Sequence, residues 1–137
     1  MKTITTTHIS IDECNIMFNK ASKEASAQGI GISFCVVDAS GVLKFFSRTD
    51  DAPLISIDIS RKKAITAIGF GMATGEPWHN FVKDDPILQN GVANIKDFML
   101  LGGGMPIEVD GVIVGAIGIS GGHYKQDEAC CLKALSL

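Results

Sequence analysis

The sequence predicts an α/β protein of the α+β kind, an antiparallel sheet of about five strands with flanking helices. Three observations carry this prediction. Asp110-Gly111 separates two apolar runs, and Asp-Gly in that setting marks a two-residue hairpin because both turn positions take positive φ. Asp38-Ala39-Ser40-Gly41 separates a second pair of runs rich in β-branched and aromatic residues. Helical periodicity lies outside these hairpins, so neighbouring strands are joined by turns and not by long crossovers.

Ser10-Ile11-Asp12-Glu13 reads as a capping box, with Ser10 bonding the Glu13 amide and Glu13 reaching back. Cys14, Met17, Phe18, Ala21 and Ala25 then recur at helical spacing, and Gly29 stops the helix. Residues 32–37 and 42–47 form the first hairpin. Asp50-Asp51-Ala52-Pro53 breaks the pattern. A helix follows from about Ser56 or Asp58 to Phe70, with Ile57, Ala64, Ile65 and Ile68 on one stripe. Pro77 opens a short helix carrying Trp78, His79 and Phe81. Residues 87–94 are ambiguous between helix and loop. Residues 95–101 are expected to enter the sheet as a further strand. Asp127 and Glu128 sit in the first turn of a terminal helix, where the helix dipole favours acidic side chains.

The second run of the central hairpin, residues 112–119, is apolar on both pleat faces. A strand without a polar face has to be covered on both sides, so it belongs in the sheet centre. Gly115 and Gly118 interrupt it, which marks a bulge or a close approach of other backbone. Gly102-Gly103-Gly104 and Gly121-Gly122 bracket the hairpin. Both brackets are expected at the sheet end opposite the Asp-Gly turn, and that end is the candidate binding site.

A chain of 137 residues, 46% hydrophobic, has the size and composition of a single domain spanning 1–137. A net charge of −3 with Arg61-Lys62-Lys63 as its basic cluster argues against nucleic-acid binding. The N-terminus lacks a signal peptide's apolar core, and no apolar run has the length of a membrane span, so a cytoplasmic protein without membrane partners is expected. Cys14, Cys35, Cys130 and Cys131 form no Cys-x-x-Cys pair and read as reduced, buried thiols.

Gly118-Ile119-Ser120-Gly121-Gly122 matches the Gly-x-Ser-x-Gly elbow of serine hydrolases. The remainder of that signature fails, because His123 precedes Asp127 and the sheet is not a large parallel one. No catalytic residue is therefore assigned. Two readings of residues 120–127 stay open: a cradle of backbone amides for an anion or a propionate, or glycines that only turn the chain. The ligand site is placed between Gly102, Gly103 and Gly104 on one side and Ser120, Gly121 and Gly122 on the other, with Phe70 and Met105 as apolar contacts. His79 is the candidate metal ligand among the three histidines, set against its being an ordinary surface residue. Met72, Met99 and Met105 are soft ligands or core filler. Lys62 and Lys63 read as solvated, with the alternative that one of them reaches a carboxylate on a ligand.

Val37-Asp38-x-x-Gly41, Lys63-Ala64-x-Thr66-Ala67, Gly103-Gly104-Met105-Pro106-Ile107, the run from Asp110-Gly111 to Ser120-Gly121-Gly122, and Gln126-Asp127-Glu128 together resemble the GlcG/HbpS family. The resemblance covers nearly the whole chain. That family includes a haem-binding extracellular sensor, the C-terminal domain of PduO-type corrinoid adenosyltransferases, and small stand-alone proteins encoded beside diol and glycerol dehydratases. The resemblance implies a profilin-like fold, homo-oligomers, and haem or a related tetrapyrrole as ligand. It also implies an alternative role in cobalamin handling, with a corrinoid adenosyltransferase or a dehydratase as partner, or in haem degradation. One departure is Thr49-Asp50-Asp51-Ala52, where members often carry Met-Asp-Gly-Ala.

Overall fold

A computed structural model describes residues 1–136. Helix α1 (Ile11–Ala27) is followed by strands β1 (Ser33–Asp38) and β2 (Leu43–Arg48), helices α2 (Ser56–Phe70), α3 (Glu76–Val82) and α4 (Pro86–Val92), strands β3 (Gly104–Val109) and β4 (Val112–Ser120), and helix α5 (Tyr124–Leu135). The sheet is antiparallel throughout, in the order β2-β1-β4-β3. Its inner strands β1 and β4 are the most buried, as an apolar run without a polar face requires. Pro106 lies on the edge strand β3, where a missing N–H costs no ladder bond on the outer side.

Both turn predictions hold. Asp110 and Gly111 take φ of 51° and 78°, the positive pair of a type I′ turn. In the first hairpin Asp38 Oδ1 accepts from the amides of Ser40 and Val42 at 2.9 and 3.1 Å, and Gly41 takes φ 78°. Ser10 Oγ caps α1 by accepting from Glu13 N at 3.2 Å, and Gly29 ends it at φ 70°.

Two cores sandwich the sheet. On one face α1 and α5 bury Cys14, Met17, Cys130, Cys131 and Ala134 against Phe34, Val36, Ile117 and Ile119. Each large side chain so enclosed contributes about 1.5–3 kcal/mol. On the other face α2 lays Ala64 and Ala67 against Cys35, Val37 and Ala116. The approach there is close. A Cβ at Gly118 would meet the Ser60 carbonyl oxygen, and the Ala64 nitrogen at 2.6 Å, so only glycine admits the helix backbone at that point.

The expected strand over residues 95–101 is absent, and the sheet has four strands. This segment is instead bound to α2. Thr66 Oγ1 donates to Asp97 O at 3.2 Å and accepts from Met99 N at 2.9 Å, and Arg61 reaches Asp97 at 3.0 Å. The ion pair holds the Asp97 carboxyl below its ordinary value. Asp97 takes φ 63°, which breaks an extended path. The apolar residues that suggested a strand serve elsewhere: the Phe98 ring meets Trp78 and Phe70 edge-on, at 5.2 and 6.1 Å between centroids. The ambiguous stretch before it is helix α4, capped by Asp85 Oδ1 accepting from Ile87 N and Leu88 N.

The stripe expected on α2 is also revised. Its buried residues are Ser56, Ser60, Lys63, Ala64, Thr66 and Ala67, whereas Ile57 is exposed. Small residues win this face because helix and sheet meet backbone to backbone.

Candidate functional site

Strand register sets the site. Gly104 pairs with Gly118 and Ser33 with Ser120, so the glycines before β3 and after β4 share the end of the sheet opposite the Asp110-Gly111 turn. The N-terminus of α5 and, on the other face, that of α2 arrive at the same end.

A buried ion pair closes this end. Lys63 Nζ donates to Asp127 Oδ2 at 2.8 Å and to the Ile119 carbonyl at 2.8 Å, and the two side chains are only 1% and 2% exposed. Asp127 Oδ1 accepts from Gly122 N at 3.0 Å. Burial pushes the Asp127 carboxyl up, and the Lys63 ammonium and glycine amides pull it back. Lys63 is therefore not solvated. It shares the sheet-facing side of α2 with Ser60, Ala64 and Ala67, whereas its neighbour Lys62 faces outward and pairs with Asp58 at 3.0 Å. Part of the anion cradle considered for residues 120–127 is taken up from within, because the Gly122 amide together with Lys63 already engages Asp127, while the Ser120 hydroxyl stays without a partner among the described residues.

The loop entering β3 is equally fixed. Thr74 Oγ1 donates to Leu101 O at 2.7 Å and accepts from Gly104 N at 2.9 Å. The Gly103 carbonyl accepts from Ile119 N at 2.8 Å and from Cys131 Sγ at 3.1 Å. The Glu128 side chain folds across Gly75 and Gly102, and a Cβ on either glycine would meet its carboxylate.

Two clefts open around these anchors. The larger, about 390 Å³, lies between α3 and the start of α5, with His79, Leu100, Leu101, Gly102, Tyr124, Lys125 and Glu128 among its lining residues. The smaller, about 300 Å³, lies between the starts of α2 and α5 and is lined by Ile55, Ile59, Lys63, Leu101, Ser120, Gly121, Gly122, Tyr124 and Asp127 among others. Leu101 and Tyr124 belong to both walls, so the clefts are neighbours.

The site residues expected from sequence divide accordingly. Gly102 and His79 line the larger cleft; Ser120, Gly121 and Gly122 line the smaller. Gly103 and Gly104 are buried within the loop and line neither cleft. Met105 packs against the core that α1 and α5 cover. Phe70 ends α2 beside Gly71, where a Cβ would touch Ile113 near the hairpin turn, and its ring stacks edge-on against Trp78 at 4.7 Å. Sequence reasoning missed Leu101 and Glu128 as lining residues, included Tyr124 and Asp127 only within the 120–127 stretch, and did not foresee that Lys63 is buried against Asp127. A lysine among the small residues of a helix face was the available signal for Lys63.

The His79 ring makes no hydrogen bond among the described residues, and no cluster of three or more His, Cys, Asp or Glu there is arranged to hold a metal ion. His8 lies elsewhere, accepting from Ala39 N at 3.3 Å. His123 caps α5 by accepting from Lys125 N at 3.2 Å, and Ser120 Oγ has no hydrogen-bonded base among the described residues.

The family model described as haem degrading protein HbpS-like matches residues 9–136. The chain belongs to the HbpS-like family. An uncharacterized 15.0 kDa protein from the dhaT-dhaS intergenic region of Citrobacter freundii is 30% identical to it over 93% of this chain and 89% of the relative. The corrinoid adenosyltransferase PduO of Salmonella typhimurium is 29% identical over 92% of this chain, which spans only 38% of that enzyme. The solved structure of a PduOC:heme complex superimposes with a TM-score of 0.79 at 27% identity, covering 94% of each chain. These likenesses agree with the GlcG/HbpS resemblance and with the α+β fold. No described helix is long and apolar enough to cross a membrane.

Proposed function

We propose that this HbpS-like chain binds haem or a related tetrapyrrole in the larger cleft and holds it without turning it over. The observation that carries the reading is the cleft itself: a free imidazole, His79, stands beside Leu100 and Leu101, which are 37% and 46% exposed although apolar. Bare apolar walls with a few polar groups are what a flat ligand needs, and the volume falls within the usual range of about 300–1,000 Å³. The likeness to the PduOC:heme complex supports the choice of ligand.

The lining fits such a group. His79 offers one nitrogen to a metal that the ring already holds, Leu100 and Leu101 keep water from the ring, and Lys125 offers positive charge to an acidic side arm. When bound, the iron supplies the redox and ligand-exchange chemistry. Gly102 contributes by leaving room for Glu128 and the ligand, and Gly103 and Gly104 act through the loop they shape. Titration with haem and with cobalamin, followed by absorbance, tests the reading. Saturable binding of haem that His79→Ala alters supports it. No binding of haem overturns it.

A second reading rests on the likeness to PduO: assistance to corrinoid chemistry in the cytoplasm, next to an adenosyltransferase or a dehydratase. Cobalamin binding in place of haem would favour it. Loss of the haem spectrum with reductant and oxygen would favour haem degradation, the activity in the family's description. Self-association completes the proposal. The sequence crowds apolar and sulfur residues at the C-terminus, Cys130, Cys131, Leu132, Leu135 and Leu137, which suggests a face for a partner chain; of these, Cys130 and Cys131 are buried in their own core, Leu132 is 62% exposed, and Leu137 lies outside the described residues. Leu43 and Phe46, exposed on β2 while α2 packs over β4, β1 and β3, now motivate it better.

A further inference from the structure

The smaller cleft has a polar floor that the tetrapyrrole reading does not use. Ser120 is 94% buried by its 6% exposure and lines the cleft, yet its hydroxyl makes no hydrogen bond among the described residues. The hydroxyl is not fully enclosed, so it meets the cleft. Lys63 spends two of its three N–H donors on Ile119 O and Asp127 Oδ2. The floor therefore presents the Ser120 hydroxyl and a third Lys63 N–H donor, neither with a hydrogen-bond partner among the described residues.

The surroundings select the sign and shape of what would bind. The first turns of α2 and α5, helices of 15 and 12 residues, both border the cleft, and both bring partial positive charge. Asp127 is the opposing charge, but Lys63 and the Gly122 amide already engage its two oxygens. The walls are apolar: Ile59 and Leu101 flank the floor, and Ile55 stands at the rim with 64% of its surface bare.

We infer that the smaller cleft is a site for an aliphatic carboxylate, whose oxygens accept from Ser120 and Lys63 and whose chain lies against Ile55, Ile59 and Leu101. Two sources offer this chemistry. One is a free short-chain acid. The other is the acidic side arm of a ring seated next door, across the shared wall of Leu101 and Tyr124; that source alone rests on the reading proposed for the larger cleft.

The test is a titration of isotope-labelled protein with sodium butyrate, followed by amide chemical shifts. Saturable shifts at Gly121, Gly122, Tyr124 and the first turn of α2 are expected, with none from butyramide. Loss of one hydrogen bond to a charged group predicts that Ser120→Ala weakens binding about tenfold. Ile55→Trp, a change at an exposed position, fills the cleft and abolishes binding while the remaining spectrum is unchanged. Absence of saturable shifts, equal binding of butyramide, or indifference to both substitutions overturns the inference. Haem and its dimethyl ester separate the sources. An ester about tenfold weaker than haem, with haem displacing butyrate, identifies the side arm. Equal binding of haem and ester beside a saturable butyrate site identifies the free acid. A protein that binds butyrate and no haem refutes the reading of the larger cleft and upholds this one.

Discussion

Lys63 and Asp127 stand 64 positions apart in the chain and meet at 2.8 Å with almost no solvent exposure. Charges so placed have lost their hydration, and only the partner and the added bonds to Ile119 O and Gly122 N offset that cost. Removing one partner therefore harms more than removing both. Lys63→Met or Asp127→Leu should each destabilise by about 3–5 kcal/mol, and the two substitutions combined should cost clearly less than the sum. Urea unfolding of the four proteins measures this. Additive losses would mean the pair is not coupled.

The glycines at this end of the sheet should not behave alike. A Cβ at Gly121 would strike the Gly31 carbonyl oxygen and approach Ile32 Cα at 2.9 Å, both backbone. A Cβ at Gly102 would meet mainly the Glu128 side chain, which can swing aside. Gly121→Val should cost more than about 3 kcal/mol, beyond the usual range for overpacking, or prevent folding. Gly102→Ala should be mild, and milder still beside Glu128→Ala. Thermal unfolding of the variants ranks them, and a stable Gly121→Val protein would contradict the packing described.

Burial pushes the thiols of Cys35 and Cys130 up to about 12, and raises those of Cys14 and Cys131 as well. The reactive species is the thiolate, so native protein at neutral pH should resist alkylation. Mass spectrometry after brief iodoacetamide treatment should find none of the four cysteines labelled in native protein and all of them in urea. Rapid labelling of any one in the native state would show that its layer opens locally.

If His79 supplies a ligand to haem iron, His79→Ala should shift the main absorbance band of the complex and weaken binding by about tenfold or more, as loss of one strong polar contact predicts. Stability should hardly change, since His79 is exposed and its ring has no partner among the described residues. An unaltered spectrum would move the metal contact elsewhere.

Much of the fold was legible because its signals are local. Asp110-Gly111 specifies its turn by φ alone, and the run after it, without a polar face, had to occupy the sheet centre. Residues 95–101 misled because a short apolar run does not reveal which neighbour it will meet; Thr66 claims the backbone that a strand would have needed. The site was half legible. The glycine brackets do share one end of the sheet, where the two clefts open, but Lys63 looked solvated because nothing local announces a carboxylate that arrives with the last helix. Phe70 looked available because its partner Trp78 joins it only in three dimensions.

The wall between the clefts is anchored at both ends. Thr66 fixes Met99 and Thr74 fixes Leu101, each through a hydroxyl that bonds backbone on both sides. A guest meeting such a wall has no loop to order and forfeits little entropy in docking. If a ligand docks there as proposed, its capture should be governed by encounter and desolvation, and the residence time should carry the differences between one ligand and the next. Substituting either threonine would change no lining residue and should still slow capture, because the wall would have to be assembled anew at each visit.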